Sequence, residues 1–131
     1  PNVYGPRQRS DLEGGVIAIF DSLMKKNKTI YIFGNGEQSR DWVHVFDIVD
    51  AFVDSININN QYELVLLGSS KKNTINELFK YLARINQYTF KPKYIEKRPG
   101  DIENMVMNNN YANKLISWKA KITLEEGLNI L

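Results

Sequence analysis

The segment of residues 30–45 constrains the fold more than any other stretch of the chain. A β-branched and aromatic run at residues 30–33 stops at a Gly34-Asn35-Gly36 turn, and a second extended apolar run follows at residues 42–45. We therefore predict two strands whose ends border a cleft, with Arg40 at its mouth and an aromatic wall beside it. The planar fork of a guanidinium suits a pair of phosphate oxygens better than an ammonium does. This arrangement favours binding of the diphosphate and base of a nucleotide-linked molecule, with Arg40 as one anchor.

Helical patterns alternate with these strands. Apolar spacing predicts a helix that starts at Val16 and ends before Asn27, and Asp47 is predicted to cap a second helix. Two capping-box patterns, Thr74 with Glu77 and Thr123 with Glu126, each predict the start of a further helix. A short helix is predicted at residues 111–116, and Trp118 is expected to fill the core.

Two further apolar runs are predicted to be strands. Residues 62–67 are almost continuously apolar, which is typical of a strand buried on both faces, and residues 93–96 form the other run. The segment Arg98-Pro99-Gly100-Asp101 is predicted to be a turn. Because strands and helices alternate, we predict the α/β class.

The composition excludes several classes of function. The 131 residues suffice for one domain with its own core, and the net charge of +2 does not argue for a nucleic-acid partner. The absence of cysteine excludes disulfides, thiol nucleophiles and cysteine-ligated metals. No apolar run approaches the roughly 20 residues that cross a bilayer. Because the chain starts at Pro1 without an initiator Met, we expect it to be a piece of a longer protein.

The remaining motifs favour binding over bond-making chemistry. The single histidine, His44, lies in an apolar run, where a structural role satisfied by a hydrogen bond is favoured. No zinc or EF-hand spacing is present. Gly34 and Gly36 lack the third glycine and the strand-turn-helix context of a dinucleotide fingerprint, so we reject them as a cofactor loop.

The charged and aromatic candidates each have a structural alternative. Arg40 and Arg98 suit phosphate binding, but they are equally well explained as surface arginines paired with Asp41 and Asp101. Tyr31 and Phe33 lie two apart on a predicted strand and share one face, so they either pack in the core or line a base slot.

Five motifs occur in an order that resembles a known family. They are Asn2-Val3-Tyr4-Gly5-Pro6-Arg7-Gln8, Gly14-Gly15-Val16-Ile17, Ile32-Phe33-Gly34-x-Gly36-x-Gln38-x-Arg40-Asp41, Arg98-Pro99-Gly100-Asp101, and Trp118 with Thr123-Leu124-Glu125-Glu126-Gly127. Together they resemble the C-terminal portion of the NAD-dependent nucleotide-sugar epimerases/dehydratases, the extended branch of the short-chain dehydrogenase/reductases. Within this family the motifs most resemble those of the UDP-glucose 4-epimerases. The resemblance implies an α/β substrate-binding part over residues 1–131, without most of the Rossmann domain.

The resemblance implies a role for each matching position. Asn2 corresponds to a contact with the diphosphate region, and Gly15 and Val16 to backbone amides at a helix start that meet the nucleotide. Tyr31 and Phe33 fall on the base-binding strand, with Phe33 against the pyrimidine. Arg40 and Arg98 match the two phosphate-binding arginines, and Asp101 the acid that holds the ribose. Met105 lies near a position that lines the sugar pocket.

The resemblance also implies what this chain lacks. In such enzymes the glycine-rich NAD loop, the catalytic Ser/Thr and the Tyr-x-x-x-Lys pair all precede the position of Asn2. We therefore expect no catalytic, cofactor or metal residue on this chain, NAD on the missing domain, and no turnover by the 131 residues alone. We also expect a UDP- or dTDP-sugar ligand, a homodimer, a cytoplasmic location, and no membrane or nucleic-acid partner.

A structural expectation follows for residues 62–67 and for the helix after Asp47. In the family these elements contact the large nucleotide-fold domain, so here they should expose apolar surface that self-association covers. Two alternatives to the epimerase interpretation stay open: a 4,6-dehydratase or decarboxylase, and a non-enzymatic nucleotide- or anion-binding module.

Overall fold

A computed structural model describes residues 1–11, 15–56, 58–59 and 62–131. Gly14 of the second motif lies outside the described residues. The elements, in chain order, are β1 (Asn2–Tyr4), α1 (Val16–Lys25), β2 (Tyr31–Phe33), β3 (Ser39–Arg40), β4 (Trp42–His44), α2 (Val45–Ser55), β5 (Asn73–Thr74), α3 (Ile75–Ile85), β6 (Lys93–Ile95), α4 (Asn110–Ile116) and α5 (Leu124–Leu128). The mixture of alternating strands and helices confirms the α/β class.

Three pairs of short strands organise the described residues. Strand β1 pairs with β4 and β2 pairs with β6, both in parallel, whereas β3 and β5 are antiparallel. The β2–β6 register places Phe33 opposite Ile95. Because parallel strands point the same way, the chain leaves β2 and β6 at the same end. The Gly34 turn and the Arg98 turn therefore emerge side by side.

The main core lies between α1 and α3. Helix α1 contributes Ile17, Phe20 and Met24 to it at helical spacing, and α3 contributes Leu78 and Leu82. Helix α3 begins at the predicted capping box, in which Thr74 accepts from the Glu77 amide and Glu77 accepts from the Thr74 amide. The predicted box of Thr123 and Glu126 likewise starts α5. Both local signals are confirmed.

The prediction that Asp47 caps α2 is wrong. The N-cap is His44, whose Nδ1 accepts a hydrogen bond of 3.3 Å from the Phe46 amide. The Asp47 carboxylate instead accepts from the amides of Lys121 and Ile122 at 3.0 and 3.1 Å. The carboxylate therefore holds the segment that follows Trp118. Trp118 itself is buried as predicted, and its indole donates to the Asp47 carbonyl.

His44 has the structural role that its apolar run predicted. The imidazole is fully buried and packs edge-on against Tyr4 and Phe46. Its Nε2 has no hydrogen-bond partner among the described residues. Burial lowers the pKa of His44, although the nearby charge of Asp47 opposes that shift.

Residues 62–67 do not form the predicted strand. No partner strand lies beside them in the described part of the chain, and Tyr62, Leu64 and Leu66 are exposed while Val65 and Leu67 are half-buried. An apolar run forms a strand ladder only where a second strand lies beside it with its backbone N–H and C=O groups in register for hydrogen bonding. The expected exposure of α2 is present: Phe46, Val49, Phe52 and Val53 form what we call the open apolar face. No helix among the described residues is long and apolar enough to cross a membrane.

Candidate functional site

A cleft of about 280 Å³ opens where the chain leaves β2 and β6. Seven of the eight predicted site residues line it: Asn2, Val16, Tyr31, Phe33, Arg40, Arg98 and Asp101. The structure thus brings together residues from five separate segments of the chain. The wall is completed by residues that sequence reasoning missed: Ile19, Phe20, Ile32, Gln38 and Ile75.

Arg40 is fixed at the cleft by three hydrogen bonds. Its Nη2 donates to Asp101 Oδ1 at 2.7 Å, and its Nη1 donates to the carbonyls of Ile102 at 2.5 Å and Ser39 at 2.9 Å. The side chain is only 14% exposed. A guanidinium has five N–H donors, so Nε–H and one Nη2–H keep no acceptor among the described residues. These two donors are available to an anion in the cleft.

The partner of Arg40 is therefore Asp101 and not Asp41. Asp41 is fully buried, and its Oδ1 accepts from the Ser69 amide and hydroxyl at 2.7 and 2.6 Å. Its Oδ2 accepts from the amides of Ser70 and Met107 at 3.1 and 3.0 Å. Asp41 thus holds the 69–70 turn and the 105–107 segment against the strand that carries Arg40. An aspartate immediately before the apolar run of residues 42–45 was the only sequence signal for this role.

Arg98 pairs with no acid and lies over an aromatic ring. Its guanidinium carbon is 3.7 Å from the centroid of the Phe33 ring. Within the described ranges its N–H groups have no hydrogen-bond acceptor, because Asp101 is turned toward Arg40. The surface alternative, in which each arginine pairs with the next acid, therefore holds for neither arginine.

The other predicted residues differ in how directly they meet the cleft. Asn2 is half-buried at the start of β1, where its backbone N–H donates to the backbone carbonyl of Asp41 at 2.9 Å. Val16 is the first residue of α1, a helix end that favours an anion. Gly15 is the N-cap of α1 but does not line the cleft, and a Cβ there would lie 2.9 Å from Nε2 of Gln8. Tyr31 is half-exposed on the same wall as Phe33.

A larger groove of about 590 Å³ shares Gln38 with the cleft. Two of its four charged groups, Lys97 and Glu103, form an ion pair of 2.7 Å, which lowers the pKa of Glu103. A surface pair of this kind contributes little binding energy to a ligand. The smaller cleft, with its unpaired guanidinium donors, is the better candidate site.

The Gly34-Asn35-Gly36 turn does not fit a dinucleotide. It joins two strands, and a Cβ at Gly36 would lie 2.1 Å from Oδ1 of Asn76, so the turn packs against the start of α3. A pyrophosphate needs a strand-turn-helix whose glycines leave the backbone open. We therefore assign no contact with NAD to this turn. No cluster of His, Asp or Glu within the described segments could hold a metal ion.

Residues 1–68 match the family model described as "NAD dependent epimerase/dehydratase family". The chain belongs to this family. The epimerase/dehydratase chain is 37% identical over 127 residues to a putative UDP-glucose 4-epimerase of Methanocaldococcus jannaschii, covering 97% of the chain and 41% of that relative. It spans about two-fifths of the length of such relatives, and the part that it matches is their C-terminal portion.

Solved structures agree with the sequence relatives. A UDP-glucose 4-epimerase from Thermotoga maritima with UDP-glucose superposes at a TM-score of 0.94 and 38% identity, covering 98% of this chain and 41% of that one. A UDP-N-acetylglucosamine 4-epimerase from Methanobrevibacter ruminantium, in complex with UDP-N-acetylmuramic acid, superposes at 0.88 and 32% identity over the same shares. The epimerase/dehydratase chain therefore has the fold of the C-terminal part of extended short-chain dehydrogenases/reductases.

Proposed function

We propose that the chain is the substrate-binding portion of an NAD-dependent nucleotide-sugar 4-epimerase of the UDP-glucose 4-epimerase kind. The observation that carries this proposal is the single cleft that gathers Arg40, Arg98, Asp101, Tyr31 and Asn2 from distant parts of the sequence. The relatives with UDP-glucose and UDP-N-acetylmuramic acid support a UDP-sugar as the ligand class. A dTDP-sugar is the nearest alternative ligand.

Each group has a place in this proposal. The free N–H groups of Arg40 and Arg98 bind the diphosphate, because charge-assisted bonds from a guanidinium fork are the strongest available to phosphate. Asp101 keeps Oδ2 for a ribose hydroxyl, since its Oδ1 is held by Arg40. Tyr31 and Phe33 on β2 meet the base, with Phe33 against the pyrimidine. Asn2 and the start of α1 at Val16 border the diphosphate.

The chemical step belongs to the rest of a longer protein in this proposal. NAD⁺ bound there would supply the hydride acceptor for C4 of the sugar. This chain contributes binding and orientation only, so the 131 residues alone should show no epimerisation. The homodimer and the cytoplasmic location remain predictions.

The test is calorimetric titration of the chain with UDP, UDP-glucose, dTDP-glucose and inorganic phosphate. UDP and UDP-glucose should bind. Arg40→Lys should weaken UDP binding about tenfold, or roughly 1.4 kcal/mol, because an ammonium lacks the planar fork with which a guanidinium can bond Asp101 and direct further N–H donors at phosphate. Arg84→Lys is the matched control: Arg84 pairs with Glu125 on the surface, outside the cleft.

Three results would count against the proposal. Equal affinity for phosphate and UDP would favour a simple anion-binding module. Clear preference for dTDP-glucose would favour the dehydratase branch. No measurable binding of any nucleotide would refute the site.

A further inference from the structure

Gln38 lines the cleft but has no task in the proposed function. Its side chain is half-buried, and its Nε2 donates to the Phe33 carbonyl at 2.7 Å, at the short end of the normal range for an N–H···O bond. The backbone carbonyl of Gln38 accepts from the Ile75 amide at 3.1 Å, where α3 begins. Gln38 therefore joins the end of β2 to the start of α3 along the wall of the cleft.

The β2–β6 ladder leaves the Phe33 carbonyl without a strand partner. The Gly34 amide donates to the Ile95 carbonyl on β6 at 2.8 Å. In a trans peptide the C=O and the N–H point to opposite sides, so the Phe33 carbonyl is directed away from β6, to the open edge of β2. Among the described residues β2 pairs with β6 alone, and the Gln38 side chain supplies the donor at the other edge.

The peptide unit between Phe33 and Gly34 is thus held from both sides. Because this unit is planar, bonds at opposite edges fix its orientation and the direction in which the Phe33 side chain leaves the backbone. Gly34 then has φ of +69°, a left-handed conformation at which the chain turns away from the strand. Without Gln38, the last residue of β2 would be held by β6 only.

We propose that Gln38 is a positioning residue that fixes the Phe33 peptide, and with it the ring that borders the base, before a nucleotide binds. This inference rests on the proposed function. Gln38 does not have to touch the ligand, because it acts through Phe33. A wall that is already ordered loses less conformational freedom when the ligand arrives. Affinity for the base should therefore depend on Gln38, whereas affinity for the phosphates, assigned above to Arg40 and Arg98, should not.

A comparison of two ligands separates positioning from a general loss of structure. Calorimetry with UDP and with pyrophosphate is carried out on the wild-type chain and on Gln38→Met, which keeps the length of the side chain but has no N–H donor. Loss of one neutral hydrogen bond should raise the Kd for UDP about 3- to 10-fold. The Kd for pyrophosphate should change by less than about twofold, because the hydrogen bonds that hold Arg40 go to other residues.

A double-mutant cycle tests whether Gln38 acts through Phe33. In a Phe33→Leu background the ring is absent, so Gln38→Met should raise the Kd for UDP by less than about twofold there. Melting temperatures report folding, and Gln38→Leu replaces Gln38→Met if the latter is unfolded. Asn109→Leu is the matched control: Asn109 Nδ2 donates to the Gly68 carbonyl at 3.0 Å outside the cleft, so both Kd values should stay unchanged.

Three results would overturn the inference. An unchanged Kd for UDP in Gln38→Met would show that the bond to Phe33 does not matter for binding. Equal losses for UDP and pyrophosphate would show that Gln38 supports the cleft as a whole. Equal losses with and without the Phe33 ring would show that Gln38 does not act through it. A wild-type chain that binds no UDP would instead refute the proposed function, and the inference with it.

Discussion

Replacement of Asp41 by Asn tests whether this buried carboxylate holds the cleft together. The carboxylate accepts four hydrogen bonds, two at each oxygen, from the Ser69 amide and hydroxyl and from the amides of Ser70 and Met107. An asparagine keeps the shape but turns one acceptor into a donor. The least costly orientation places its nitrogen toward Ser69, whose hydroxyl can rotate and accept, and leaves the Ser69 amide without an acceptor.

The magnitude follows from this geometry. One buried amide without an acceptor costs about 1–3 kcal/mol, and the remaining bonds lose the contribution of the charge, so we expect a loss of about 2–4 kcal/mol in the free energy of unfolding. With the m-values usual for a small domain, the urea midpoint should fall by about 1–2 M.

Urea unfolding followed by tryptophan fluorescence measures this loss, and Asp50→Asn is the matched control. Asp50 forms an exposed pair of 2.7 Å with Lys121, and its side chain is 47% exposed. Such a pair contributes less than about 1 kcal/mol. Equal losses of stability in the two variants would show that the hydrogen bonds of Asp41 do not hold the 69–70 turn and the 105–107 segment in place.

Three further predictions use matched comparisons. Gly36 and Gly100 both have φ of +78°, but a Cβ at Gly36 would lie 2.1 Å from an Asn76 oxygen, whereas a Cβ at Gly100 would have nothing within 4 Å. Gly36→Ala should therefore lower the melting temperature much more than Gly100→Ala does. Equal losses would contradict the steric explanation. Burial lowers the pKa of His44, so the unfolded chain binds more protons as the pH falls below about 6.5 and stability should be lost there. The urea midpoint should therefore fall between pH 7.5 and 5.5, and His44→Gln should flatten this dependence; an unchanged slope would exclude His44 as its source. The open apolar face should drive self-association in light scattering, which Phe52→Glu should reduce, and a wild-type monomer at every concentration would refute it.

Local signals in the sequence predicted most of the elements. The capping boxes at Thr74 and Thr123 place their own hydrogen-bond partners three residues away, so no distant contact is needed to specify the helix start. The apolar spacing after Val16 is likewise a local signal that predicts a helix without any distant contact, and α1 begins and ends where it was predicted.

Distant contacts decided what sequence reasoning missed. Asp47 has the chemistry of a cap, but the amides of residues 121 and 122 compete for its carboxylate and leave the cap to His44. The strand at residues 62–67 requires a partner that the described chain does not provide. The pairing of Arg40 with Asp101 crosses 61 positions, so no local pattern could choose it over the adjacent Asp41.

The candidate site was predictable as a set of residues but not as a set of contacts. The resemblance of the motifs named the residues that the cleft gathers, with Gly15 as the exception. The stack of Arg98 on Phe33 depends on the parallel pairing of β2 with β6, which periodicity alone does not reveal.

The strand pairs join partners 40, 62 and 33–35 positions apart, in the order β1–β4, β2–β6 and β3–β5. Closing such long loops costs chain entropy before any ladder forms, so we expect this topology to fold slowly and its helices to order first. The β2–β6 closure is the longest of the three, and the cleft is complete only after it. A nucleotide that binds as proposed would meet its binding groups only once the barrier is crossed, so it should retard unfolding while leaving the rate of folding almost untouched.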